Sequence, residues 1–306
     1  MLASVFREFA EQNPDVQLIM VSRENFRDLF NGIPNLLFKG IDVDEYKGFL
    51  GLRKLARQLK SEFDPDYIAD LHDVIRTKVL NRIFFRHRYK VYVLDKGKEE
   101  RELLTNVWNI DKEPIRKTVE RYADVLREMG FLLTLSHRYQ PAQKEKSGVG
   151  FAPFAQHKGK ILPLEKSFEA AKILAEHHKI YFFGGGQKET EMLSQWQKAI
   201  PNSENLAGKM TLREELEKIS GLKVMISMDS ANMHLASLAG TRCVSVWGAT
   251  HPFAGFLGYG QSEDDVVQIK DLTCRPCSVF GDKECYRGDY ACLEEITVKQ
   301  IIDKVL

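Results

Sequence analysis

Short apolar runs alternate with longer amphipathic runs along this chain, and they do so twice, on either side of one polar stretch. In the first half "VQLIMVS" (16–22), "NLLFKGID" (35–42), "DYIADLHD" (66–73) and "KVYVLD" (90–95) have the length and composition of buried strands. Between and after them lie "FRDLF", a short helix, then "GLRKLARQLKSEF" (51–63), "VIRTKVLNRIFF" (74–85) and "PIRKTVERYADVLREMG" (114–130), with apolar residues at helical spacing. "SHRYQPAQKEKSG" (136–148) is polar and turn-rich, the signature of a linker. The alternation then restarts. Strands are predicted at 148–154, 179–186, 223–229 and 242–248, with helices at 163–178, 188–200, 212–220, 230–240 and 294–306. Strand–helix alternation predicts parallel sheets covered by helices, an α/β class. Two doubly wound halves in tandem predict domains at 1–135 and 148–306 and a ligand cleft between them. Such sheets bind ligands at the carboxyl ends of their strands.

Bulk properties bound the function without choosing it. The 306 residues are 43% hydrophobic, long enough for about two domains. A net charge of +1 gives no reason to expect nucleic acid as a partner. No run of about 18 apolar residues occurs, so no transmembrane helix is expected. "MLASVFREFAEQNPD" lacks the basic start and apolar stretch of a signal peptide. A cytoplasmic location is expected.

Three predicted strand ends in the second half carry unusual residues. "FFGGGQKE" places three glycines after an apolar strand, where backbone can approach a phosphate or sugar, or simply turn tightly. It matches neither G-x-G-x-x-G nor a P-loop. "MDSANMHLA" puts Asp229 and Ser230 where a helix begins and His234 about one turn on. One reading is a helix cap with a core histidine. The other has free helix N–H groups facing a diphosphate, with Ser230 and His234 as donors and Asp229 ordering the loop and bonding a sugar hydroxyl. "WGATHPFAGFLGYG" (247–260) offers four glycines, Thr250 and His251, either an ordinary surface loop or one that covers a ligand.

Five segments in order, "APFAQHKGKILP", "GGGQKE", "LAGKMTLREEL", "SMDSANMHLA" and "VWGATHPFAGFLGYG", give the second half a resemblance to glycosyltransferase family 9, the ADP-heptose:lipopolysaccharide heptosyltransferases. The resemblance implies a GT-B fold, two Rossmann-like domains facing a central cleft, with the donor in the C-terminal one. It places Lys160, in K-x-x-P, at the donor phosphate, Met210 beside the base and Glu189 at the ribose. Asp229, Ser230, Ala231 and His234 match the family's Asp-Ser/Thr-Gly-x-x-His, which holds the sugar diphosphate, with Ala231 where glycine is usual. It implies an ADP-heptose-like nucleotide-sugar donor and an anionic glycolipid acceptor, reached with peripheral contact at the cytoplasmic face of the inner membrane. The donor half has no D-x-D, so no metal cofactor is expected for catalysis. Cationic side chains and a helix N-terminus would stabilise the leaving diphosphate instead, with inversion by direct displacement.

The acceptor would meet the first half, where basic residues crowd into 72–90. A solvated helix face and a basic wall for an anionic glycolipid are both open. His72, Arg76 and Lys78 are the candidates nearest a strand end, and Lys78, Arg82 and Arg86 would share a face if the helix runs that far. Four of the five cysteines follow Cys274-x2-Cys277-x7-Cys285-x6-Cys292, a set that can surround one structural Zn²⁺, stay as reduced thiols or pair as a disulfide. The family begins with a strand and a loop ending in Gly-Asp that carries the presumed base. "MLASVFREFAEQNPD" matches the middle of the following helix, so no residue here is assigned as the base, and the first strand of the N-terminal domain is expected to be missing. Two alternatives remain beside a family 9 transferase: another GT-B enzyme using UDP-sugars, and a non-catalytic sugar-nucleotide-binding remnant.

Overall fold

The computed structural model describes residues 1–306. The chain divides into two compact units, one of Leu2–Gly97 with Thr118–Ser136, the other of Met1, Lys98–Lys117 and His137–Leu306. Apart from Met1, the observed division departs from the sequence boundary at 135 at one segment, 98–117. That segment belongs with the C-terminal unit because Ile115 N–H donates to Phe253 O at 2.9 Å and Lys112 Nζ donates to Pro276 O at 3.3 Å.

In the first unit, β1 (Leu18–Arg23) pairs in parallel with β2 (Leu36–Ile41), with Leu18 opposite Leu36. β3 (Tyr67–Asp70) pairs in parallel with β4 (Lys90–Val93), with Tyr67 opposite Lys90. These remain two separate two-stranded sheets rather than one. No residue of β1 is fully buried, and in β3 only Asp70 is. Helices supply most of the core. Helix Leu2–Gln12 buries Val5, Phe6, Phe9 and Ala10, and Phe9 meets Phe131 edge-on at 5.3 Å. Helix Gly48–Phe63 packs Leu52, Leu55 and Ala56 against Leu80, Phe85 and Tyr89.

The predicted helix 74–85 is not one α-helix. An α-turn, Ile75–Val79, passes into a π-helix, Leu80–Phe85, closed by Arg86 N–H donating to Asn81 O at 2.9 Å. The wider π-turn breaks the four-residue period, so Lys78, Arg82 and Arg86 do not stack on one α-helical face.

The second unit contains β5 (Val149–Ala152), β6 (Ile180–Phe182), β7 (Ser203–Asn205), β8 (Val224–Met228), β9 (Cys243–Val246) and β10 (Val266–Val267) in one sheet ordered β10-β9-β8-β5-β6-β7. Every pairing is parallel. Residues of β5, β8 and β9 are buried throughout, as helices on both faces of a parallel sheet require. Phe151, Phe182, Leu193, Ile226 and Val244 form the heart of the core. Neither β7 nor β10 is predicted from sequence; three and two residues are too short to show a period. The expected terminal helix 294–306 is instead two short ones, Ala291–Glu294 and Val298–Ile302, the second begun by a Thr297–Gln300 capping box. No helix is long and apolar enough to cross a membrane.

Candidate functional site

The chain order of the second sheet creates a switch point. From β5 it moves outward to β6 and β7, then returns to lay β8 against the other side of β5. Loops leaving the carboxyl ends of β5 and β8 therefore diverge and open a crevice. Lys160 comes from the loop after β5, in the 3₁₀ turn Lys158–Lys160, and Asp229 is the first residue after β8. Their side chains meet, Lys160 Nζ to Asp229 Oδ2 at 3.0 Å, with exposures of only 16% and 6%.

The helix after β8, Ala231–Leu238, begins without a side-chain cap. Asp229 is engaged with Lys160, and Ser230 Oγ lies 3.1 Å from Ser227 Oγ. The capping explanation of "MDSANMHLA" is therefore not what the structure shows. The first helical N–H groups stay available at the same rim, where the helix dipole favours an anion. Ala231, at the first helical position, is exposed. His234 lies one turn deeper. Its Nδ1 is buried without a hydrogen-bond partner. Burial first, then the positive charges of the amino terminus and Lys160, push its pKa down to about 3, so the imidazole is neutral at pH 7 and offers one N–H.

The other strand ends contribute lesser pieces. Glu189, in the first turn of helix Gln187–Ala199, accepts from Gly185 N–H at 2.8 Å and ties down the glycine loop after β6. Gly186 holds φ +80°, a conformation that favours glycine. Met210, beyond β7, packs against the apolar cluster of Phe183, Ile219 and Leu222 while remaining partly exposed. After β9, Thr250 is fully buried with Oγ1 unpartnered. His251 Nδ1 accepts from Phe253 N–H at 3.1 Å, which leaves the hydrogen on Nε2 when the ring is neutral. Burial, with Arg275 nearby, lowers that histidine to about 4.

Lys160, Asp229, Ser230, Ala231 and His234 are thus gathered at one crevice, while Glu189 and Met210 stand at the next strand ends of the same edge. The sequence reading missed Gly281. A Cβ there would fall 2.4 Å from Lys160 Cγ, so this glycine backs the lysine stem. Nothing in the sequence marks that contact.

His72, Arg76 and Lys78 lie in the other unit and are exposed. Asp70, buried at the end of β3, organises their loop. Its Oδ1 accepts from His72 N–H at 3.1 Å and Asp73 N–H at 2.9 Å, and its Oδ2 accepts from Asn81 at 2.7 Å. Lys78 pairs with Asp73 at 3.3 Å.

Comparison with known proteins follows the same lines. A family model, glycosyltransferase family 9 (heptosyltransferase), matches residues 52–286. Lipooligosaccharide heptosyltransferase 2 of Campylobacter jejuni is 24% identical over 309 residues, spanning 96% of this chain and 89% of that protein. A family 9 glycosyl transferase from Veillonella parvula shares the fold with a TM-score of 0.71 at 19% identity, over 99% of this chain and 91% of that one. The E. coli ADP-heptose LPS heptosyltransferase II does so with a TM-score of 0.67 at 18% identity, over 99% and 92%.

Proposed function

This chain belongs to glycosyltransferase family 9 and is a glycosyltransferase, and from that we propose that it transfers a heptose from an ADP-heptose-like donor to a lipopolysaccharide-type acceptor. The observation that carries the donor reading is the Lys160–Asp229 pair at the switch point, beside a helix end without a side-chain cap. A diphosphate placed there meets the Lys160 ammonium, the first N–H groups of helix Ala231–Leu238 and the neutral His234 ring. Asp229 keeps Lys160 aimed into the crevice and accepts from a sugar hydroxyl. Glu189 accepts from ribose hydroxyls, and Met210 offers an apolar face to the base.

In the transfer, the acceptor hydroxyl oxygen forms a bond to the anomeric carbon as the bond to the diphosphate oxygen breaks. The electron pair leaves with ADP, and the hydroxyl proton passes to a base on the acceptor side. Direct displacement inverts the anomeric centre. Lys160 and the helix N–H groups stabilise the growing charge on the diphosphate, the work a divalent cation does in transferases that use one. We assign the exposed His72, Arg76 and Lys78 to anionic groups of the acceptor, and the reading includes peripheral contact with the cytoplasmic face of the membrane that carries the glycolipid.

The test compares two neighbouring lysines. Lys158 lies over the Tyr290 ring, 4.6 Å from its centroid, while Lys160 pairs with Asp229. Titrating ADP-heptose by calorimetry without added Mg²⁺ or Mn²⁺, Lys160→Ala should weaken binding about tenfold to a hundredfold, the worth of a charged hydrogen bond of roughly 1.5–3 kcal/mol. Lys158→Ala should change it by less than about threefold. Equal losses, or binding that requires the cation, would contradict the assignment.

A further inference from the structure

Helix Leu212–Ser220 starts on a complete capping box. Thr211 Oγ1 accepts from Glu214 N–H at 3.3 Å, and the Glu214 carboxylate accepts from Thr211 N–H at 2.8 Å. With Thr211 as the cap, Met210 stands just before it and Glu215 is the fourth helical residue. Side chains at those two positions lie against each other at a helix start, and both are commonly apolar, a staple that fixes the angle at which the chain enters. Here one end is Met210 and the other is a carboxylate. Ile219, one turn further along the same side, is fully buried and belongs to the apolar cluster on which Met210 packs. Glu215 therefore stands between two apolar residues on the inward side of the helix, whereas Arg213, Glu214 and Glu217 are exposed.

No group of the protein answers that carboxylate. Glu215 is half-buried, and burial raises its pKa with no cation and no hydrogen bond acting against it. The cations around it are engaged elsewhere. Lys209 Nζ donates to Asn205 O at 2.7 Å, Lys218 lies 3.4 Å from the centroid of the Tyr181 ring, and Lys144 pairs with Glu217. The helix has no need of the charge, since Glu214 already closes the box and places an anion in the first turn. An apolar residue at 215 would complete the staple, so the carboxylate lowers stability. A polar group that breaks a local rule without a partner in the fold points to a partner that binds.

The neighbour identifies that partner. In the proposed complex Met210 carries the base of the donor. A carboxylate offers acceptors only, so it takes an N–H from the base. On the outer edge of adenine the exocyclic amino group is the donor, beside ring nitrogens that only accept. We propose that Glu215 reads the donor's base, accepting a hydrogen bond from the exocyclic amino group of an adenine whose ring lies on Met210. Glu215 is then a specificity residue, in contact with the base and not with the reacting atoms. This rests on the donor reading, since it takes the position of the base from Met210.

Calorimetric titration of the full chain, with no added divalent cation, compares ADP with purine riboside 5′-diphosphate, the same nucleotide without the amino group. Wild type should bind ADP at least about tenfold more tightly, as one hydrogen bond to a charged group provides. In Glu215→Leu the ratio should fall to within about twofold of one, through weaker binding of ADP alone. Glu215→Gln keeps an acceptor oxygen and should retain a preference of at least about threefold. In thermal melts without nucleotide, Glu215→Leu should be at least as stable as wild type; a lower melting temperature would assign the carboxylate to the helix instead. A preference for ADP that survives in Glu215→Leu, or one that Glu215→Gln abolishes as fully as leucine does, would overturn the assignment. Lys160→Ala separates this inference from the donor reading. If it weakens ADP binding while Glu215→Leu leaves the preference unmoved, the donor site stands and the role of Glu215 falls. If wild type binds neither nucleotide, or Lys160→Ala binds ADP as wild type does, the donor reading fails and the role of Glu215 with it.

Discussion

Lys160 owes its position to a glycine far along the chain. Gly281 has φ +75°, and a Cβ there meets Lys160 Cγ at 2.4 Å and Cδ at 2.8 Å. Gly288 has φ +78° and nothing within 4 Å. Alanine at either position carries similar backbone strain of roughly 1 kcal/mol, but only Gly281→Ala displaces the lysine. Gly281→Ala should therefore weaken ADP-heptose binding at least about tenfold while Gly288→Ala stays near wild type, even though both lower the melting temperature. Similar affinities for the two would sink the contact's importance. His234 makes a different prediction. Its pKa falls from 6.5 in the unfolded chain to about 3 in the fold, so below pH 6.5 the unfolded state binds a proton that the native state refuses. Stability is lost as pH falls from about 6.5 towards 3, by at most about 1.4 kcal/mol per unit from this group. Urea unfolding of His234→Gln at pH 7, 5.5 and 4.5 should show a shallower decline than wild type; parallel declines would show that the ring is not the source. Of these residues, Asp229, Ser230 and His234 were legible as a cluster because a strand-to-helix turn keeps them together. The choice between cap and ligand site was not, because Asp229 turns away from its own helix to a lysine from another loop.

At the scale of elements, alternation was enough to place the long strands and helices. The π-helix Leu80–Phe85 was invisible, since one extra residue per turn leaves no trace in a short apolar pattern. The separate ladders of the first unit make the sharpest element-level contrast. β1 and β3 each have a single strand neighbour and are mostly half-exposed or exposed, whereas β5 and β8 have two neighbours and are wholly buried. Amides open more easily where few apolar contacts hold the ladder. In native-state hydrogen exchange the amides of 18–23 and 67–70 should exchange at least about tenfold faster than those of 149–152 and 224–228. Matching rates would mean that the first unit opens only with the whole fold.

For the whole molecule, the repeated alternation announced two α/β halves, and five ordered segments pointed to the family that the comparisons show. What the sequence could not reveal was the path of 98–117, which belongs with the C-terminal unit through backbone bonds to Phe253 and a lysine on Pro276. Contacts between residues so distant in sequence leave no local signature. In the proposed complex the donor occupies the crevice between β5 and β8, held by side chains and helix N–H groups. The decisive measurement is hydrogen exchange of the 306-residue chain with and without ADP-heptose, with no added divalent cation. Bound donor should slow exchange in 157–162, 184–190 and 229–235, with no such slowing in Lys160→Ala at the same donor concentration. Protection confined to other segments, protection that appears only with Mg²⁺, or none at saturating donor would contradict it.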